Sequence, residues 1–223
     1  FPDGYFDEVQ IQSILLSADC VNEPDVLSIL GASVALTLSD LPFNGPIGAV
    51  RVGLVDDNFI VNPTIEEIKR SSLELIYAGL ADKIIMIEGD AQELSEETFR
   101  KAFEFANEQV KIQITAQLEL AKLVGKKKVT PKLVTVSQEM GDAVNSFCSG
   151  KLEDACFLNG KEERNNALNE VFAKLEVHIN EMFKDNQVEK NIKFKLKLAF
   201  DNTVKKTIRE AILNHGRRSD GRA

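Results

Sequence analysis

The sequence has little of what most catalytic motifs require. Its 223 residues carry two histidines, His178 and His215, and three cysteines, Cys20, Cys148 and Cys156. Neither C-x-x-C nor H-E-x-x-H occurs, which removes the usual zinc patterns. Neither G-x-x-x-x-G-K-[ST] nor G-x-G-x-x-G occurs, so the two common glycine-rich phosphate loops are also excluded. No apolar run approaches the roughly 18 residues a membrane-spanning helix needs, and no membrane partner is expected. There is no internal repeat and no low-complexity tract. An odd number of cysteines without paired spacing points to reduced, structural thiols and a cytosolic-type compartment. The cytoplasm is therefore the expected location, with an organelle as the alternative.

Charge is unevenly spread. The chain is −8 overall, yet residues 1–124 hold 8 Lys+Arg against 21 Asp+Glu, residues 125–215 hold 16 against 13, and the last eight hold 3 against 1. An acidic segment lacks the cations that phosphate contacts require, so any nucleic-acid contact should come from the second half. With 43% hydrophobic residues the chain has material for a core.

Apolar spacing gives the elements. Val9 to Leu16 reads as a strand. Asn22-Glu23-Pro24-Asp25 starts a helix over Val26 to Leu38, whose Leu27, Leu30, Val34 and Leu38 repeat at three-and-four spacing. Leu41 to Gly48 is a shaped loop with two prolines and two glycines. Ala49 to Val55 is a strand, Asp56-Asp57-Asn58 a hairpin turn, and Phe59 to Val61 the return. Asn62-Pro63-Thr64 caps a short helix reaching about Arg70. Leu73 to Tyr77 and Lys83 to Ile87 are further strands. A long helix follows over Glu96 to Leu123, with Phe99, Ala102, Phe103, Ala106, Val110, Ile114, Leu118 and Ala121 on one face.

Gly125-Lys126-Lys127-Lys128 and Pro131 break this pattern and mark a domain boundary near 124–131. Three helices are expected beyond it: one around Val144, Phe147 and Cys148, one through Ala167, Val171, Leu175 and Ile179, and one from Phe194 to Gly216. The fold class is α/β followed by an all-α domain.

Candidate chemistry is sparse. Glu66, Glu67 and Glu74 suggest a metal cluster or, more plainly, helix-start charge plus one strand carboxylate. Ser17-Ala18-Asp19-Cys20 has no histidine nearby to activate a nucleophile. His178 lies in a helical run as a structural or surface residue, and His215 complements a helix C-terminus. Lys126-Lys127-Lys128 reads as an RNA contact or a solvated linker. These residues by themselves identify no active site.

Phe1-Pro2-Asp3-Gly4-Tyr5-Phe6-Asp7-Glu8-Val9-Gln10, Gly31 to Leu36, Ser39 to Gly53, Asn62-Pro63-Thr64 and Glu93-Leu94-Ser95-Glu96-Glu97 resemble the first RNase PH-like core of the polynucleotide phosphorylase family. Gly216-Arg217-Arg218-Ser219-Asp220-Gly221-Arg222 resembles the opening of that family's second core. The resemblance covers the whole chain. It is specific in 1–97 and in the last heptad, and rests on helical character alone in 125–205. It implies three parts: 1–124 from an RNase PH-like domain with a mixed sheet, 125–213 an all-helical domain, and 214–223 the start of a second RNase PH-like domain.

The resemblance further implies a homotrimeric enzyme that degrades RNA from its 3′ end with inorganic phosphate as co-substrate. Such an enzyme releases nucleoside diphosphates, polymerises them in reverse, depends on Mg2+ and is a partner of RNA-degradation complexes. In the family's catalytic core a strand reads D-x-D-F-K-V-A-G. The matching Ser72-Leu73-Glu74-Leu75-Ile76-Tyr77-Ala78-Gly79 keeps one carboxylate, Glu74, while Ser72 replaces an Asp and Ile76 replaces the Lys. No catalytic or metal residue is therefore assigned here, and Mg2+ is expected to bind outside the segment. Arg217, Arg218 and Arg222 are the candidates for RNA contact, with carboxylate pairing at a domain junction as the competing reading. The chain is expected to support trimer assembly and RNA channelling without activity of its own. The alternative is a structural or RNA-gating module using Lys190, Lys193, Lys195 and Lys197.

Overall fold

The computed structural model describes residues 1–182 and 192–222. They fall into two compact units, Phe1–Leu133 and the residues from Val134 onward. Among them no helix is long and apolar enough to cross a membrane.

In the first unit, helix α1 (Asp25–Leu38) precedes strands β1 (Gly48–Val55) and β2 (Asn58–Val61), a short helix α2 (Ile65–Ile68), strands β3 (Leu73–Gly79) and β4 (Ile84–Ala91), and the long helix α3 (Glu96–Val124). The strands form one sheet in the order β2-β1-β3-β4. All three pairings are antiparallel, so the sheet is not mixed as the sequence suggested. The β1–β2 hairpin turns through Asp56 and Asp57, both with positive φ (48° and 60°), the left-handed pair that matches strand twist and that short acidic side chains tolerate. Thr64 caps α2 in a complete capping box with Glu67.

Alternation along the strands sorts two faces. Val50, Val52, Leu54, Leu73, Leu75 and Tyr77 form a core with Ala102, Ala106, Val110 and Ile114 of α3. The opposite set, Ala49 and Ala78, packs with Val26 of α1. Two glutamines one turn apart on α3 dock it to the start of β1. Gln113 accepts from the Ala49 amide at 2.8 Å and donates to the Ala49 carbonyl at 3.0 Å, while Gln117 donates to the Ile47 carbonyl at 3.0 Å. Ser33 completes the junction, donating to Gln117 at 2.8 Å and accepting from the Ile47 amide at 2.7 Å. Side-chain amides thus imitate the donor and acceptor pattern of a neighbouring strand.

Two further expectations fail in this unit. Val9 to Leu16 forms no strand. Leu16 is 92% exposed, and among the described residues no strand pairs with the segment to take its backbone hydrogen bonds, which a strand requires. On α1 the inward residues are Val26, Ser33 and Thr37, and Leu27 points outward. The buried stripe includes two hydroxyl residues, Ser33 paired to the loop and to α3 and Thr37 with its Oγ1 buried without a partner among the described residues, a pattern that apolar spacing alone cannot reveal.

The second unit contains α4 (Gln138–Cys148), α5 (Lys151–Cys156), α6 (Lys161–Met182) and α7 (Ile192–His215). Its core joins Met140, Val144 and Cys148 to Leu152, Cys156, Leu175, Ile179, Leu196, Ala199 and Phe200. The sequence reading missed α5, a six-residue helix set off by Gly150 at φ 77°. Ser137 caps α4 by accepting from the Met140 amide at 3.3 Å. Cys148 and Cys156 are buried free thiols, and Cys20 is an exposed one.

Candidate functional site

Glu74 lies on β3, on the same sheet face as α1 by strand alternation. It does not stand open for a metal ion. Arg51, opposite Ile76 in the β1–β3 register, donates through Nη1 to the Glu74 carboxylate and through Nη2 to Asp25 at the start of α1. Arg51 is only 8% exposed, whereas the side chains of Asp25 and Glu74 are 41% and 39% exposed. Arg51 Nε is buried and unpartnered. Beside the triad lies a cavity of about 180 Å³ lined by Asn22, Glu23, Val26, Leu27, Arg51, Asn62 and Pro63.

Two carboxylates around one guanidinium give a local charge of −1, and a phosphate anion is repelled by that field rather than held. Ile76 adds an apolar side chain where the family pattern has lysine. Ser72 uses its amide to bond the Leu54 carbonyl at 2.9 Å.

The remaining candidates are dispersed. Glu66 pairs with Lys69 at 2.7 Å, which draws its pKa down. Glu67 is held down by its bonds to Thr64 in the capping box. Neither joins Glu74, and among the described residues no three acidic, histidine or cysteine side chains gather as a metal site. Asp19 accepts from the Val21 and Asn22 amides at 2.8 and 2.9 Å, and these bonds lower its pKa to about 2. Its carboxylate organises a turn. His178 stacks on Phe147 with ring centres 5.0 Å apart, and His215 occupies the last turn of α7.

The lysine runs also have structural occupations. Lys128 is not a free cation. Its Nζ donates to the carbonyls of Leu36 at 2.7 Å, Thr37 at 3.0 Å and Ser39 at 2.7 Å, closing the C-terminus of α1. Burial pushes its pKa down, against the opposing pull of Asp40. On α7, Lys193 pairs with Glu176 at 2.9 Å, and Lys197 pairs with Asp201 at 2.9 Å while lying over Phe172 and Phe200. Lys193 and Lys197 are one turn apart, while Lys195 falls on the other side of the helix, so these three do not make one stripe. Lys190 lies outside the described residues.

The three arginine candidates occupy a short, exposed segment after α7. Arg217 places its guanidinium 4.2 Å from the Phe157 ring centre. Arg218 donates Nε and Nη2 to the two Asp220 oxygens at 3.2 and 3.1 Å. Arg222 donates Nε and Nη2 to Asp220 Oδ2 at 2.9 and 2.6 Å, and its amide to Oδ1 at 3.1 Å. Arg218 and Arg222 together hold the Asp220 carboxyl well below the usual range, and Asp220 raises Arg218 in return. Two of the three cations are thus paired with a carboxylate, and the third lies over an aromatic ring.

Sequence reasoning missed Arg51 as the partner of Glu74. The available signal was a lone cation inside the apolar strand Ala49 to Val55. It also missed Phe157 as the seat of Arg217, a contact that no local pattern announces.

Residues 45–109 match the 3′ exoribonuclease family, domain 2, and residues 139–223 match the polyribonucleotide nucleotidyltransferase RNA binding domain. Along its whole length the chain is similar to proteins named polyribonucleotide nucleotidyltransferase. Proteins named polyribonucleotide nucleotidyltransferase from Thermodesulfovibrio yellowstonii and Methylacidiphilum infernorum are each 41% identical to it over its whole length. One from Aquifex aeolicus is 36% identical over the same span. The chain covers 32%, 31% and 28% of these relatives, so it spans about a third of their length. The domain 2 match covers β1 to β4 and the first half of α3. The RNA binding match covers α4 to α7 and the arginine segment.

Proposed function

We propose that this chain is a non-catalytic portion of a phosphate-dependent 3′-to-5′ exoribonuclease that releases nucleoside diphosphates and polymerises them in reverse. The single observation carrying the non-catalytic assignment is the engagement of Glu74 by Arg51, with Ile76 where lysine would stand. The residues around Glu74 do not fit a divalent metal, because the carboxylate already faces a guanidinium. In this reading Mg2+ and inorganic phosphate act at a site supplied by the rest of a longer protein, in the cytoplasm. RNA is the partner of the helical portion, and the arginine segment is where its phosphates make contact. Homotrimer assembly draws on the exposed apolar face of α3, where Ile112, Leu123 and Val124 are more than half exposed. Components of RNA-degradation complexes are the further partners of the whole enzyme.

The test is Glu74→Gln in the full-length protein. Phosphorolysis of oligo(A) with unchanged kcat supports the reading. A loss of tenfold or more with an unchanged unfolding midpoint rejects it. Light scattering checks assembly, since a monomer at high concentration places the trimer contacts elsewhere.

A second reading, the helical unit as an RNA gate, is favoured by the RNA binding domain match. The ion pairs of Lys193 and Lys197 weigh against a lysine stripe as its basis. Filter binding of RNA at two salt concentrations separates the readings, because electrostatic retention must be strongest at low salt.

A further inference from the structure

The arginine segment is held in place by backbone hydrogen bonds. Gly216 takes φ 60° and donates to the Ile212 carbonyl at 3.1 Å, and Arg217 donates its amide to Ala211 at 3.1 Å. These bonds turn the chain off the end of α7. Gly221, with φ 76°, donates to Arg218 at 3.1 Å and closes a second turn that brings Arg218, Asp220 and Arg222 together. The Phe157 contact ties the start of the segment to the residue that follows α5.

Within this frame one carboxylate receives five hydrogen bonds from two arginines. Each guanidinium presents Nε and Nη2, the edge that matches two oxygens of a tetrahedral or planar anion. The cluster of Arg217, Arg218, Asp220 and Arg222 carries a charge of +2, and its exposed surface can accept a strand passing across it.

We propose that Asp220 is an internal stand-in for a phosphodiester. It occupies the Arg218–Arg222 fork, and an RNA strand binds there by displacing it. The inference rests on the reading that this segment contacts RNA, and adds a built-in competitor to it. Arg217 makes the first contact, since its charge is shared only with an aromatic face. Arg218 and Arg222 engage once Asp220 is displaced. Free inorganic phosphate offers the same chemistry. The observations favour a strand phosphate, because Arg217 lies next to the Arg218–Arg222 fork and offers a second cation to a neighbouring phosphate of the same strand, whereas a free anion engages the fork alone.

The experiment is filter binding of end-labelled oligo(A) to the full chain and to Asp220→Asn, Asp220→Glu, Arg218→Gln/Arg222→Gln, and the Asn and Gln changes combined, across a salt series. Each released guanidinium adds one phosphate contact, and each such contact steepens the logarithmic salt slope by about 0.7 for a single strand. Asp220→Asn is expected to tighten binding roughly tenfold at low salt and to steepen the slope by about 0.7–1.4. Asp220→Glu should restore wild-type binding, and the combined variant should lose the gain. Millimolar phosphate should not compete away the added binding; if it does, the site belongs to the free anion and the strand assignment is overturned. If Asp220→Asn leaves affinity and slope unchanged while the arginine pair weakens binding, the competitor role is overturned and RNA contact survives. If the arginine changes also have no effect, the RNA reading of the segment fails with it.

Discussion

Arg51 on β1 holds the carboxylate of Glu74 on β3 from a position directly opposite Ile76. On the proposed function, this pair occupies the one carboxylate of a strand that resembles a phosphorolytic half-site. A buried cation needs charge partners, and Asp25 and Glu74 supply them. Replacing Arg51 with Met should cost about 1–3 kcal/mol, less than breaking a fully buried pair because both acids are near two-fifths exposed. A urea titration followed by circular dichroism measures the loss. Glu74→Gln should cost less than Arg51→Met, because its amide oxygen still accepts from Nη1.

Lys128 should matter to the linker more than to RNA. Its ammonium bonds three carbonyls at the end of α1, one of which, Leu36, also accepts from the Ser39 hydroxyl, and the Lys126 and Val129 amides bond Leu38 and Asp40 at 2.9 and 2.8 Å beside it. Lys128→Met is expected to destabilise the first unit by about 1–2 kcal/mol. In hydrogen exchange the Lys126 and Val129 amides should lose protection while the middle of α3 keeps its own. Unchanged exchange at those two amides would reject the clamp.

Burial pushes the Cys148 thiol up to about 11 from an ordinary 9.0, and burial raises Cys156 as well. A raised thiol pKa means the folded state favours the neutral form. The unfolded chain ionises first, so the thiols' contribution is intact below about pH 9 and is lost as pH rises towards 11. The loss from Cys148 is on the order of 2 kcal/mol across that window. Urea midpoints of the helical unit at pH 8 and pH 10.5 should differ, and Cys148→Ala should flatten the difference.

Much of the fold was legible because it is locally encoded. The β1–β2 hairpin followed from Asp56-Asp57-Asn58, α2 from Thr64 and Glu67, and α3 from a face that repeats from Phe99 to Ile114. What escaped was non-local. Val9 to Leu16 has strand-like alternation, but a strand exists only where a neighbour takes its hydrogen bonds. The inward face of α1 was misjudged because Ser33 is buried through Gln117, 84 positions away. The candidate site was legible by resemblance in one respect, the substitutions at Ser72 and Ile76. Its electrostatics were not, because Arg51 reaches Glu74 from 23 positions away and Asp25 reaches Arg51 from 26. The arginine heptad was visible as a motif, whereas the sharing of Asp220 by Arg218 and Arg222 depends on a turn that only the structure shows.

On the proposed function, this chain braces an RNA phosphorolysis machine without performing its chemistry. The most direct measurement incubates the purified chain with radiolabelled oligo(A), inorganic phosphate and magnesium, then separates nucleotides by thin-layer chromatography. No ADP above the enzyme-free control is the predicted result. ADP that scales with protein concentration and disappears in Glu74→Gln would contradict it.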